Sequence, residues 1–138
     1  MKAKEYLRRA YSLDKFIDAS LLELLKLREQ CNVIKSLDYS KDKVQAPGKN
    51  TMEDTIVKLV DMENDINKKI EQLSDLKAEI RDNINKLPDD TERLLLTYRY
   101  LCFLSWEEIA AKMGYSYRNI HRVHAKALRD FETWHTMS

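Results

Sequence analysis

Glycine and proline together fill four of the 138 positions, and they fall at three places: Pro47-Gly48, Pro88 and Gly114. A backbone with so few of these residues has few sites for tight turns. Its apolar residues are mostly Leu, Ile and Ala, which include few strong strand formers. The expectation is an all-α chain whose long segments are interrupted at those places. A length of 138 suits one domain, or a small domain with an extended appendage.

The first segment, from about Ala3 to Leu37, carries Tyr6, Ala10, Leu13, Ile17, Leu24, Leu27, Cys31 and Ile34. Steps of four and three place these on one helix face, with Ser20 in the polar gap and Leu21 and Leu25 widening the stripe. The polar stretch SLDYSKDKVQAPGKN then reads as a mobile loop. A second helix restarts at Thr51, a candidate cap, with Glu53 and Asp54 beside its positive end. Its stripe is Met52, Ile56, Leu59, Ile66, Ile70, Leu73, Ile80, Ile84 and Leu87, the seam of a coiled coil. Glu63 and Lys77 interrupt it, either fixing register and partner or snorkelling from the seam's margin. Two helices of similar length joined by a loop predict a long antiparallel helical hairpin over residues 1–87. Its remaining apolar edge is expected to pack on another copy or on the C-terminal part.

Pro88 with Asp89 and Asp90 marks a break, because proline inside a helix removes a backbone hydrogen bond. Residues 88–138 read as a separate domain. Thr91 to Phe103 is expected to be helical, with Leu94, Leu95, Tyr98 and Leu101 or Cys102 buried. Ser105 and Glu108 form a capping box for a helix carrying Trp106, Ile109, Ala110 and Met113 on one face. Gly114 supplies the positive φ of a sharp turn, Ser116 caps the next helix, and Ile120, Val123, Ala127 and Leu128 face inward. A small residue midway in one helix, a glycine turn and paired branched residues in the next form the template of a helix-turn-helix.

The outward side of the second of these helices carries Ser116, Tyr117, Arg118, His121, Arg122, Ala125 and Lys126, with no Asp or Glu between Met113 and Arg129. The whole chain has 24 Lys and Arg against 23 Asp and Glu, so its net charge of +1 excludes a generally basic binder. Nucleic-acid binding must then come from a local surface, and this acid-free stripe is the footprint of a major-groove helix. Arg118 and Arg122, one turn apart, can each pair with a guanine edge. Tyr117 and Lys126 suit phosphate or sugar contacts, and Arg99 and Lys112 extend the phosphate footprint.

The run from Glu92-Arg93 through Leu95, Arg99-Tyr100, Trp106-Glu107-Glu108-Ile109-Ala110, Met113-Gly114-Tyr115-Ser116 and Ala127-Leu128 resembles sigma-factor region 4. With its MKAKEYLRRAY opening and MEDTIVKLVDMENDI stretch, the chain is similar to phage-encoded sigma-region-4-like proteins. These occur in prophages of low-GC Gram-positive bacteria and are grouped with regulators of late phage transcription. The resemblance implies recognition of promoter DNA and a contact with host RNA polymerase. The chain departs from a complete sigma factor in lacking an aromatic-rich region 2 and in carrying a long N-terminal arm. It is therefore not expected to open a promoter alone.

Other chemistry finds little footing. Cys31 and Cys102 are far apart, belong to no metal-ligand spacing and are expected to be reduced core residues. His121 and His124 lack further ligands for a metal, and His124 is expected to flank the helix packing. Trp106 and Trp134 read as packing residues. Glu107 and Glu108 diverge from a helix start, and no phosphate loop or nucleophile grouping is present. The expectation is a non-enzymatic protein without cofactor or metal. Its partners are double-stranded DNA, host RNA polymerase and further copies of itself through the N-terminal helices. With no leader and no ~20-residue apolar run, it is expected in the cytoplasm and away from membranes. The competing readings are a DNA-packaging subunit similar to a small terminase, and a polymerase- or sigma-binding protein with no DNA specificity of its own.

Overall fold

The structure is a computed structural model describing residues 2–40 and 51–137. Among these the chain is all-helical: α1 (Ala3–Ser40), α2 (Thr51–Ile84), α3 (Asp90–Tyr100), α4 (Trp106–Met113) and α5 (Tyr117–Met137). No described helix is long and apolar enough to cross a membrane. Residues 36–40, expected in the loop, are instead the last residues of α1. The rest of that expected loop, with Pro47-Gly48, and the Thr51 side chain expected to cap α2 lie outside what is described. The chain divides into two compact units, Lys15–Glu71 and Met1–Asp14 with Gln72–Ser138.

In the Lys15–Glu71 unit, α1 and α2 run antiparallel. Arg28 Nη2 donates to Glu63 Oε1 at 2.6 Å, Cys31 Sγ lies 3.6 Å from Met52 Sδ, and Lys69 sits 5.4 Å from the Phe16 ring centre. Ile17, Leu24 and Cys31, seven residues apart, are buried, as is Ile66. The expected second row on α2 is not the buried one. Ile56 and Ile70 are 43% and 45% exposed, whereas Thr55 is buried and Met62 half-buried. Both rows flank the Met52–Leu59–Ile66 stripe, and the side on which α1 lies decides between them. The Arg28–Glu63 pair spans two half-exposed side chains and contributes at most about 1 kcal/mol.

In the other unit, the first turns of α1 and the last turns of α2 share one core with α3, α4 and α5. Leu7, Ala10, Ile80, Ile84, Leu87, Leu95, Leu96, Ile109, Ile120, Ala127 and Phe131 close it. Tyr6 fixes the α1–α2 register there, donating to Glu79 Oε2 at 2.6 Å and accepting from Asn83 Nδ2 at 2.7 Å. Burial, followed by the Glu79 bond, pushes its pKa up to about 12. The break before Pro88 occurs as expected, with α2 ending at Ile84. The Asp89 carboxylate then caps α3, accepting from the Thr91 and Glu92 amides.

The inward side of α3 differs from its expected register. Leu95, Leu96, Tyr100, Leu101 and Glu92 are buried; Leu94 is exposed, Tyr98 half-buried and Cys102 exposed. Cys102 is therefore a surface thiol, while Cys31 is a core residue, and both are free. The helix stops at Tyr100 rather than Phe103, which takes a positive φ of 60°. That conformation is uncommon for a bulky residue. Phe103 is held there by an edge contact with Tyr11 (5.6 Å) and by Lys77 over its ring (4.7 Å).

Candidate functional site

Helix α4 begins at Ser105, whose Oγ accepts from the Glu108 amide and donates to Glu108 Oε1, the predicted capping pair. It ends at Gly114 in the left-handed region (φ 70°, ψ 29°), whose N–H reaches Ala110 O. A β-carbon built on Gly114 would meet nothing within 4 Å, so the torsion and not crowding demands glycine. Ser116 then caps α5, its Oγ accepting from the Asn119 amide at 3.1 Å. Ile109 and Ile120 are fully buried, and α5 packs on both α3 and α4. These contacts pack α5 against α4 across the turn.

Around that turn the expected surface residues have different environments. Tyr117, Arg118, Arg122, Ala125 and Lys112 are exposed, as is Ser116. Arg122 is steered by Asn119, whose Oδ1 accepts from its Nε at 3.0 Å and its Nη2 at 2.7 Å. His121 is half-buried, its ring 4.9 Å from Trp106 and 4.5 Å from Tyr117. Arg99 is half-buried on α3, stacked 4.3 Å from the Trp106 ring centre and donating to Leu104 O at 3.0 Å. Ser116, Tyr117, Arg118 and Arg122 are thus brought together on the first two turns of α5, while Arg99 joins through Trp106.

Lys126 differs from the rest because its ammonium is already engaged. It donates to Glu92 Oε2 at 2.8 Å and to Asp130 Oδ2 at 3.0 Å. Both bonds raise its pKa above the usual lysine range. Glu92 is 2% exposed, its other oxygen has no described partner, and burial pushes its carboxyl upward against the opposing pull of Lys126. Asp130, bonded to the same ammonium, is held below its ordinary value.

His124 lies beneath the surface, 8% exposed, with Nε2 2.7 Å from the Tyr100 hydroxyl. Burial first, then the charges of Lys4, Arg99 and His121, lower its pKa to about 4. Neutral His124 shares this hydrogen bond with a neutral Tyr100 hydroxyl, whose pKa burial raises to about 12. His124 thus flanks the packing, as its spacing suggested. Among the described residues no group of three or more His, Cys, Asp or Glu side chains converges as a metal site.

The sequence did not single out Asn119, and it named Glu92 only within the region-4 resemblance, without its burial or its pairing. Asn119 stands between Arg118 and Ile120 on α5, and its position one turn before Arg122 was the available signal. Glu92 had no local signal, since its partner is 34 residues away.

Comparison with known proteins gives one family. The family described as "Protein of unknown function (DUF1492)" matches residues 33–132, and the chain belongs to it. No curated protein and no solved structure matches the chain.

Proposed function

We propose that this member of the DUF1492 family is a non-enzymatic, sequence-specific DNA-binding regulator of phage transcription. In this reading α4, the Gly114 turn and α5 form a helix-turn-helix of the sigma-region-4 kind, and α5 enters the major groove. The observation that carries it is the first half of α5. Ser116, Tyr117, Arg118 and Arg122 present exposed donors from one rigidly held helix, and no carboxylate interrupts them before Asp130. Arg118 and Arg122 read bases; Tyr117, Lys112 and Arg99 hold the backbone. Action at late promoters with host RNA polymerase, in the cytoplasm of a bacterial host, rests on the sigma-region-4 resemblance.

A chain of net charge +1 binds weakly through one module, so a second copy is part of the proposal. The long antiparallel arm supplies the contact. Leu21, Leu25, Ile56 and Val60 are all exposed. Arg28 follows Leu25 by three residues and Leu21 by seven, as Glu63 follows Val60 and Ile56. Because Arg28 meets Glu63 across an antiparallel pair, the two apolar stripes lie on the side that carries this ion pair and extend from it in opposite directions along the arm.

Purified protein incubated with fragments of its source genome, followed by sequencing of what it retains, tests the reading. Enrichment of a short motif upstream of a late operon is the expected result. Enrichment at a packaging start would make the chain a packaging subunit, and no enrichment would make protein contact its function.

A further inference from the structure

Lys4 and Arg8, one turn apart near the start of α1, and Arg99, in the last turn of α3, line a single cleft with Tyr11, Tyr100 and Trp106. All six belong to the unit formed by Met1–Asp14 and Gln72–Ser138. The cleft holds about 120 Å³, well above the ~10–15 Å³ that one water needs, and takes a group of phosphoryl size. Lys4 and Arg8 are exposed, and among the described residues none of the three cations is in an ion pair. No carboxylate is among the residues that line the space. Their fields overlap: Lys4 and Arg99 both act on His124, and Arg8 and Arg99 both act on Tyr100.

Three cations gathered without an anion repel one another, and a bound anion relieves that repulsion. Arg99 is fixed by its bond to Leu104 O and its stacking on Trp106, so its fork is set before a ligand arrives. We propose that Lys4, Arg8 and Arg99 form a phosphate-binding cleft walled by the rings of Tyr11 and Trp106. Arginine forks match phosphate oxygens with paired hydrogen bonds, and lysine adds a point charge. The phosphoryl group has two possible sources. One is a free phosphorylated small molecule. The other is a backbone phosphate of bound duplex, which rests on the function proposed above. In that case the cleft adjoins the reading helix, because Trp106 also packs on His121 and His121 on Tyr117. The start of α1 would then be a DNA-binding element.

Two measurements test this, comparing parent protein with the Lys4→Ala/Arg8→Ala double variant, whose positions are both exposed. In a Trp134→Phe background Trp106 is the sole tryptophan. Titration with inorganic phosphate and pyrophosphate, at matched ionic strength, is expected to change its emission saturably in the parent and not in the double variant. Binding to a random-sequence duplex across a salt series is expected to weaken in the double variant. The slope of log affinity against log salt should fall by about 1, as for one lost phosphate contact, and Arg8→Lys should retain most of the binding. An emission response without a duplex effect supports the cleft with a free phosphoryl ligand, even if the protein proves not to bind DNA. A duplex effect without an emission response supports it with a backbone phosphate. Parent and double variant alike in both measurements overturn the proposal.

Discussion

Lys126 stands on the outward side of α5, yet Glu92 and Asp130 already neutralise it. Lys126→Ala should therefore weaken duplex binding less than Arg118→Ala or Arg122→Ala does. It should lower the urea midpoint, because it strands Glu92 in the core without its cation. Parallel affinity and unfolding curves check both halves, and a loss of affinity equal to that of the arginines would refute the first. His124 gives the fold an acid limb. Its folded pKa of about 4 lies below the ordinary 6.5, so its contribution is complete above pH ~6.5 and is lost as pH falls through 4. The full difference is about 3 kcal/mol. Urea unfolding at pH 7 and pH 4.5 should show the loss in the parent, and His124→Gln, still able to hydrogen-bond Tyr100, should flatten it.

Among the elements, the α4–α5 turn was the most legible in the sequence, because each of its signals acts locally. Ser105, Glu108, Gly114 and Ser116 satisfy backbone groups within four residues of themselves, and no distant contact is needed to place them. Gly114→Ala should cost about 1 kcal/mol through the left-handed torsion alone, since there is open space for the methyl group. A denaturation midpoint unchanged by that substitution would show that the turn relaxes. The phase of α3 was not legible, since Leu94, Leu95 and Leu96 form a run in which hydrophobicity favours no face. The packing of α5 against α3 selects Leu95 and Leu96. The same ambiguity misplaced the second row of α2, where Ile56 and Ile70 are more apolar than Thr55 but face outward.

For the whole molecule, the sequence conveyed the helices and the break at Pro88, but not that Tyr6, Leu7 and Ala10 share a core with α3 and α5. That relation joins residues more than a hundred positions apart, as in the Ala3 amide donating to Glu132, and no periodicity encodes it. The same long-range relation brings Lys4 and Arg8 to the cleft that Arg99 lines. The exposed stripes of Leu21 with Leu25 and Ile56 with Val60 carry the expectation of self-association. Light scattering should show an oligomer in the parent and a smaller species for Leu25→Lys/Val60→Lys, with helicity by circular dichroism retained. A parent that stays monomeric at high concentration would leave polymerase to supply the missing affinity.

The most direct test of the central claim is the affinity of Arg118→Ala/Arg122→Ala for its enriched motif and for a scrambled duplex, measured at one salt concentration. The account predicts that preference for the motif falls at least about tenfold, since each arginine–guanine pair contributes ~1–3 kcal/mol of discrimination, while scrambled-duplex binding falls less. An unchanged preference for the motif would contradict the assignment of α5 as the reading helix.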